Sequence, residues 1–413
     1  LSGGVRNGMI LYPSIRRNLD KKCYLSYNIL SFSFMSYNMV IAGAGGIAQA
    51  VGLIMADWGN VPLKIFIGNR TLEKAEKVAH WIGKGTTDPG VAKAFRLSEA
   101  GLTKEMEDIF TQGDVLLDCL PGSLAPKMAS YAKDFKMHYV NLTEYVAETN
   151  EIMALAKNAE TGFVLQSGLA PGYINLLAHH LLQEFCSKHK VDKVDKLQFK
   201  VGALTDHAVA PHYYGFTWSP VGVATEYVKD AEAVRNYKKV PLKSLSERAT
   251  IIIDGRTYEE DLTSGGAADL PDALAGKVRD LDYKTLRYPG HYAWVQQQLA
   301  GFKNVDASIK NLQEKMESEI PHIENDQIVL YAAVEGKDMH GVLRRSEVSK
   351  LIFPQKVGIH RLRAIQTTTA APMVQAAFML MESEHKGVVL QSQIDPKPFL
   401  NGNFIAPIYG YVN

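Results

Sequence analysis

One stretch near residue 40 constrains the fold of this chain more than any other. Residues 39–42 are apolar and suit a buried strand, Gly43–Ala48 is rich in glycine, and residues 49–56 are typical of a helix. A strand, a glycine-rich turn and a helix begin a βαβ unit that binds a dinucleotide; the alternative is an ordinary strand–turn–helix. In such a unit the first glycine permits a tight turn, and the helix N–H groups bind phosphate. The predicted cofactor contacts are Gly43, Gly45, Gly46 and Ile47.

Six apolar segments alternate with helical segments over the first half of the chain. This alternation is typical of an α/β fold with a doubly wound parallel sheet, the Rossmann architecture. Open α/β sheets bind ligands at the carboxyl ends of their strands, so Leu120, Pro121 and Asn141 are predicted to contact the cofactor. The predicted strands are residues 39–42, 62–68, 91–97, 114–121, 137–143 and 162–167.

The second predicted strand ends in Asn69 and Arg70 rather than in an acidic residue. An acid at this position hydrogen-bonds the ribose 2′-hydroxyl of NAD, whereas an amide and a guanidinium suit a 2′-phosphate. We therefore predict that Asn69 and Arg70 bind the cofactor and that the cofactor is NADP, with NAD as the alternative. The other interpretation of Arg70 is a solvated surface charge.

The sequence pattern changes near residue 190. Residues 196–203 alternate between apolar and polar, which indicates an antiparallel strand with one solvated face. Similar segments follow at 248–254 and 327–335, and residues 303–319 are typical of a surface helix. The predicted organisation is a Rossmann domain over 35–185, an inserted α+β domain over 190–361, and a segment over 362–413 that returns to the first domain.

Composition argues against several classes of protein. The chain of 413 residues has a net charge of +1, which favours neither nucleic acid nor an anionic membrane as a partner. No apolar run is long enough to span a bilayer. The three cysteines are scattered, so no disulfide framework is predicted and a cytoplasmic location fits best. Residues 1–34 have no periodic pattern, and we interpret them as an extension outside the fold.

Two segments of the second half combine aromatic and polar side chains, as small-molecule pockets do. Thr217–Pro220 places the indole of Trp218 beside hydroxyl groups; the alternative is a core tryptophan in a turn. In Thr285–His291, the guanidinium of Arg287 is suited to a carboxylate, and the neighbouring phenol and imidazole are suited to proton transfer. The alternative is an exposed polar turn. His207 and His212 lack further ligands nearby, so no metal site is predicted.

These segments, together with the glycine loop, resemble the saccharopine dehydrogenase family over most of residues 37–413. The resemblance implies a substrate cleft between the Rossmann and α+β domains, and it implies hydride transfer at a C–N bond of an amine or imine derived from an amino acid. It also implies a homodimer, formed through the α+β domain. On this basis we assign substrate binding to Trp218, Ser219, Arg287 and Thr368, and catalysis to Tyr288 and His291. The matching motifs are Gly43–Gly46, Tyr139–Asn141, Gly168–Gly172 with Asn175, Thr217–Pro220, Thr285–Gly290, Thr367–Thr369 and Asp395–Gly402.

Three positions depart from the family pattern. Ala170 replaces an aspartate of the glutamate-forming saccharopine enzymes, Val221 lies where they have an arginine, and Asn141 replaces a frequent aspartate. The Ala170-Pro171 pair looks more like lysine 6-dehydrogenases. Two alternatives therefore stay open: an NAD-linked oxidative deaminase of the lysine 6-dehydrogenase type, and a dinucleotide-binding regulatory protein without catalysis.

Overall fold

The computed structural model describes residues 36–302 and 304–413; the predicted extension over 1–34 lies outside the described residues. The first half of the chain alternates strands with helices. The strands are β1 (Tyr37–Ala42), β2 (Leu63–Asn69), β3 (Ala92–Arg96), β4 (Val115–Asp118), β5 (His138–Asn141) and β6 (Gly162–Val164). The helices are α1 (Gly46–Trp58), α2 (Leu72–Gly85), α3 (Lys104–Gln112), α4 (Ala125–Asp134), α5 (Val146–Ala156) and α6 (Tyr173–His189).

These strands form a parallel sheet in the order β3-β2-β1-β4-β5-β6, which confirms the predicted doubly wound architecture. Along β1, Met39 and Ile41 pack into one core and Val40 and Ala42 into another, because helices cover both faces. The sequence of a strand that is buried on both faces is a continuous apolar run, and residues 39–42 of β1 show this pattern. The order reverses between β1 and β4, and ligands of such sheets bind at that point.

A second, mixed sheet follows. Its strands are β7 (Val194–Leu204), β8 (Ala231–Arg235), β9 (Lys238–Leu242), β10 (Ala249–Ile253), β11 (Arg256–Leu262), β12 (Val278–Arg287), β13 (Gln327–Lys337) and β14 (Leu343–Ile352). The main path is β10-β11-β12-β7-β13-β14, and β8 joins β12 to β9. A hairpin of β15 (Gln355–Val357) and β16 (His360–Leu362) comes after them. The helices of this part are α7 (Pro220–Val228), α8 (Leu270–Leu274), α9 (His291–Leu299) and α10 (Val305–Glu319).

Strand β7 corrects one expectation. It pairs antiparallel with β13 but parallel with β12, and its carboxyl half is buried rather than solvated on one face. Lys200 made the segment resemble a half-exposed strand. In the structure Lys200 is buried and its ammonium lies 2.8 Å from the Glu260 carboxylate, so a paired charge replaces the expected solvent contact.

The C-terminal segment returns to the first sheet, as predicted. Helix α11 (Ala364–Met381) packs against α1 and the strands of the first sheet, and almost every side chain along it is buried. Strand β17 (Gly387–Val389) then pairs in parallel with β6 and extends that sheet. Three residues are too few for a periodic pattern, so this strand was not predicted. Helices α12 (Pro396–Leu400) and α13 (Ala406–Tyr409) complete the described chain.

The described residues contain neither a membrane-spanning helix nor a cluster of metal ligands. None of their helices combines the length and the apolar character needed to cross a membrane. Within the same residues, no cluster of three or more histidine, cysteine or acidic side chains is arranged to hold a metal ion.

Replacement of Gly172 by alanine is expected to reduce the free energy of unfolding by about 3–5 kcal/mol. Gly172 has a φ of +130°, and an added Cβ would overlap the backbone of Gly168 in the loop before α6. Urea unfolding of the variant measures the loss. Gly276→Ala is the matched control, because Gly276 also has a positive φ, of +82°, but its Cβ would meet open space. Equal losses in the two variants would contradict a close approach at Gly172.

Candidate active site

The glycine loop after β1 has the geometry of a phosphate-binding turn. Gly43 has a φ of +115°, donates its N–H to the carbonyl of Gly68 over 2.8 Å, and would place a Cβ 3.0 Å from the carbonyl oxygen of Cys119. Gly45 is the N-cap of α1, and a Cβ there would meet open space. The first turn of α1 has no acidic residue and no capping side chain. Its free N–H groups are therefore available to an anion.

The far end of the chain supports this loop. The amide of Gln366, in the first turn of α11, donates a hydrogen bond to the carbonyl of Gly46 over 2.8 Å. The guanidinium of Arg363 lies close to the same glycine, 3.5 Å from the position that a Cβ would occupy. The N-terminus of α11 is in turn fixed by Asp326, which accepts the N–H groups of Ala364 and Ile365 over 2.7 Å each. The sequence analysis missed these residues because they contact the loop only through tertiary packing.

Asn69 and Arg70 lie at the carboxyl end of β2, beside the glycine loop. The Asn69 amide donates to the carbonyl of Thr71 over 3.1 Å. The Arg70 side chain is 72% exposed and forms an ion pair with Glu99 at 3.1 Å. Lys127 donates to the backbone carbonyl of Glu99 over 2.9 Å, so a second cation lies close by. The edge of the sheet where an adenosine 2′ group would lie is thus polar and accessible.

Two further strands end at the same edge. The N–H of Leu120 is held by the Asp118 carboxylate over 3.0 Å, just before Pro121. Burial raises the pKa of Asp118 to about 6. Asn141 is buried, and its side-chain oxygen accepts the N–H of Gln166 over 2.8 Å. The predicted contacts Leu120, Pro121 and Asn141 are therefore brought to the carboxyl ends of β4 and β5, on the side of the sheet that carries the glycine loop.

A cavity of about 200 Å³ lies between the two sheets. It is bounded by Ile47 of the glycine loop, by the loop Gly168–Pro171 and by Thr369 of α11 on one side. The second sheet forms the other side together with Trp218, which precedes α7, and Glu226 near the C-terminal end of α7. The polar groups that reach the cavity from that side are Tyr283, Thr285, Arg287 and Glu226. A mostly apolar cavity with a few convergent polar groups is typical of a small-molecule site.

Arg287 is the most deeply buried charge of this cavity, with 1% of its surface exposed. Its Nε donates to the Tyr227 hydroxyl over 2.6 Å and its Nη1 to the carbonyl of Leu286 over 2.9 Å. The guanidinium also lies over the ring of Tyr214, 4.8 Å from the centroid. Among the described residues no carboxylate forms an ion pair with it. A buried cation without a counter-ion is costly, so the site suits an anionic ligand group.

His291 lies behind Arg287 rather than on the cavity. Its Nδ1 donates to the carbonyl of His212 over 2.6 Å, so its Nε2 is left to accept the Tyr227 hydroxyl at 3.0 Å. Burial and the charge of Arg287 lower the pKa of His291 to about 3, which keeps the ring neutral. The chain of hydrogen bonds from His291 through Tyr227 to Arg287 holds the guanidinium in one orientation.

Three other predicted site residues lie away from the cavity lining. Tyr288 accepts a hydrogen bond from Gln327 over 2.7 Å and donates one to Asp206, and burial raises its pKa to about 12. Ser219 is exposed and caps α7 by accepting the N–H of Gly222 over 3.4 Å. The Thr368 hydroxyl donates to the carbonyl of Ala364 within α11, and the next residue lines the cavity instead. Local pattern did not reveal which face of each element the cavity touches.

Trp218 does line the cavity, and its six-membered ring packs directly on Gly222 of α7. Two glutamates that the sequence analysis missed lie near it. Glu226 is 8% exposed, and burial raises its pKa to about 8. Glu144, in the loop after β5, also has a pKa raised by burial. The available signal was an acid within the largely apolar helix α7, a pattern that favours a buried, special role over a solvated one.

Two family models match this chain. The model of the saccharopine dehydrogenase NADP-binding domain matches residues 39–165, and that of the saccharopine dehydrogenase C-terminal domain matches residues 168–404. An alpha-aminoadipic semialdehyde synthase of Arabidopsis thaliana is 27% identical over 163 residues, which is 39% of this chain but 14% of that protein. The chain thus spans a small part of that relative.

Two solved structures share the fold. The saccharopine dehydrogenase (L-Glu forming) of Saccharomyces cerevisiae superposes with a TM-score of 0.67 at 15% identity, covering 89% of this chain and 96% of that one. The homospermidine synthase of Legionella pneumophila, solved in complex with NAD, gives a TM-score of 0.63 at 12% identity, with 91% of each chain covered. At such identities the likeness is one of fold.

Proposed function

The chain belongs to the saccharopine dehydrogenase family, and we propose that it transfers a hydride between NADP and the C–N bond of an amine or imine derived from an amino acid. The observation that supports this best is Arg287, a buried cation that forms no ion pair within the described residues, in a cavity that also contacts the glycine loop. A substrate carboxylate on Arg287 would bring the reacting carbon close to a cofactor bound at that loop.

The residues at the first sheet fit a dinucleotide. Gly45 leaves open space at the N-terminus of α1, where a pyrophosphate binds without meeting a side chain. The nicotinamide, when bound, supplies the hydride acceptor or donor. The residues proposed to hold the cofactor are Gly43, Gly45, Gly46, Ile47, Asn69, Arg70, Leu120, Pro121 and Asn141.

The protein's own contribution is binding, orientation and exclusion of water. Arg287 binds the carboxylate, and the hydrogen bonds from Tyr227 and His291 orient it. Trp218 and the loop Gly168–Pro171 form apolar walls that keep water from the reacting bond. In this scheme His291 is a positioning residue.

We also propose a homodimer, which sedimentation velocity tests directly.

Turnover measurements test the proposed activity. NADP⁺ and NAD⁺ reduction are followed with saccharopine and with lysine, and NADPH and NADH oxidation with aldehyde–amine pairs. We expect turnover of at least one of these with NADP⁺ or NADPH. Reduction of NAD⁺ with lysine alone would support the lysine 6-dehydrogenase alternative. Tight cofactor binding without turnover of any of them would overturn the proposal and favour the regulatory alternative.

Arg70→Ala tests the choice of cofactor. The guanidinium is proposed to pair with the 2′-phosphate, so its loss should raise the Kd for NADPH by about 10-fold and leave the Kd for NADH unchanged. Titration by quenching of protein fluorescence measures both constants. Lys77→Ala is the control, because it removes the same charge from the exposed face of α2. If both cofactors bind the Arg70 variant as tightly as they bind the wild type, Arg70 is a solvated surface charge.

A further inference from the structure

Glu226 is a buried acid that the proposed binding scheme does not use. It lies on α7, lines the cavity and exposes 8% of its surface. Within residues 36–302 and 304–413, no group donates a hydrogen bond to its carboxyl, and only burial and the charges of Arg287 and Glu144 influence its ionisation. An acid buried without a partner destabilises the fold when it ionises, so packing alone does not explain its presence.

The position of Glu226 relative to Arg287 is informative. Both side chains line the same cavity, yet the guanidinium forms no ion pair with the carboxylate and instead bonds Tyr227 and the carbonyl of Leu286. The guanidinium and the carboxyl are therefore each free to contact a different part of a ligand, the first an anionic group and the second a group that gains or loses a proton. A zwitterionic substrate, with a carboxylate at one end and a nitrogen further along, presents both.

We propose that Glu226 is the residue that exchanges a proton with the substrate nitrogen, while Arg287 holds the substrate carboxylate. This inference rests on the proposed function. In the oxidative direction the substrate carbon loses a hydride and the attached nitrogen loses a proton, so that the C–N single bond becomes C=N. The hydride is taken up by the nicotinamide and the proton by the carboxylate of Glu226. In the reductive direction the carbon of the imine gains the hydride and its nitrogen gains the proton from the Glu226 carboxyl.

Charged and titratable groups from every element around Glu226 act on this proton. Arg287 favours the carboxylate form, whereas burial and Glu144 favour the protonated form, and the balance raises the pKa of Glu226 to about 8. A general acid–base group is most effective when its pKa lies near the working pH. A substrate carboxylate on Arg287 offsets the cation and raises the proton affinity of Glu226 further. The neighbouring groups are Arg287 and Tyr283 of β12, Tyr214 before α7, Tyr227 of α7 and Glu144.

Other acids and bases nearby are less suited to this step. Both ring nitrogens of His291 are occupied, and it lies behind Arg287. Tyr288 is hydrogen-bonded away from the cavity lining. Glu144 lines the cavity but is more exposed than Glu226, and its charge adds to the larger effect of burial in raising the pKa of Glu226.

Glu226→Gln tests the proposal through the pH profile of amine oxidation by saccharopine and lysine with NADP⁺. The wild-type kcat/KM, which reports the free enzyme, should fall as the pH drops through about 8 (the acidic limb of the profile), because the base must be ionised. The Glu226→Gln variant should not show this acidic limb, and its kcat should be about 10²–10⁴-fold lower. Its KM and its Kd for NADPH should change little. Glu226→Asp should keep the limb at a reduced rate. Glu144→Gln should move it to lower pH, and Glu148→Gln, in the first turn of α5, should leave it unchanged.

Thermal melting provides a readout independent of substrate. The raised pKa means that ionisation of Glu226 costs more free energy in the folded than in the unfolded state. The wild-type protein should therefore lose stability as the pH rises from the pKa of a free glutamate towards 8. Glu226→Gln should therefore melt above the wild type at pH 9 and lose this advantage in acid. If Glu226→Gln keeps both the acidic limb and the wild-type rate, the proposed role of Glu226 is wrong, while the proposed function of the protein still stands. Absence of turnover in the wild type overturns the proposed function, and the role of Glu226 with it.

Discussion

Arg287→Ala is expected to raise the KM for the substrate about 100-fold or more while the Kd for NADPH stays unchanged. The guanidinium is 1% exposed, and charge-assisted hydrogen bonds to a carboxylate are strong for a group so shielded from solvent. Alanine leaves the substrate carboxylate buried without a partner. Steady-state kinetics with the substrate found by turnover measurement gives KM, and fluorescence titration gives the cofactor affinity.

The fold of this variant needs its own control, because Arg287 packs against the rings of Tyr214 and Tyr227. Arg287→Lys retains the positive charge and should show an intermediate KM, since an ammonium lacks the planar pair of donors. Arg279→Ala removes an arginine from the other end of β12, where the side chain is partly exposed, and should change neither constant. An unchanged KM in a folded Arg287→Ala protein would remove Arg287 from the binding site.

Gly45→Asp is expected to raise the Kd for NADPH about 100-fold or more without loss of stability. Gly45 has a φ of −88°, and a Cβ there would meet open space, so the fold accepts a side chain. Aspartate is also a preferred N-cap and should stabilise α1 by roughly a few tenths of a kcal/mol relative to glycine. The same carboxylate would lie where the pyrophosphate binds and repel it.

Gly45→Asn separates the effect of charge from that of volume. Asparagine caps a helix as well as aspartate and has nearly the same size, but it is neutral. We expect the melting temperature to hold in both variants and the Kd to rise more for Asp than for Asn. If both variants bind NADPH as the wild type does, the open space at Gly45 is not the pyrophosphate site.

The segment Thr285–His291 illustrates where local pattern is sufficient and where it is not. The sequence analysis chose Arg287 for a carboxylate, and in the structure Arg287 lines the cavity with no carboxylate paired to it among the described residues. Tyr288 and His291 were the predicted catalytic residues, but Tyr288, directly after β12, packs in the same cluster as Leu286 and does not line the cavity, and His291 lies behind Arg287. A one-residue difference along a strand reverses the face, and spacing alone does not reveal which face is inside.

The sequence by itself determined the Rossmann half of this protein. The apolar runs, the glycine loop and the helices between them are local signals. A strand that is buried on both faces is a continuous apolar run, so it can be predicted from its own residues without knowledge of the strands beside it. It also predicted Trp218 and Arg287 as binding residues, because rigid aromatics and guanidinium groups in turn-rich segments are recognisable by type, and both line the cavity.

Only the tertiary structure decided how the cavity is charged. Glu226 comes from an apolar helix, the hydrogen bond that orients Arg287 comes from 60 residues away, and Gln366 reaches the glycine loop across 320 residues of sequence. Burial, the raised pKa of a carboxyl and the absence of an ion pair for Arg287 among the described residues all depend on which elements meet. A local pattern reports the periodicity of each element, whereas ionisation and ligand binding depend on its neighbours in space.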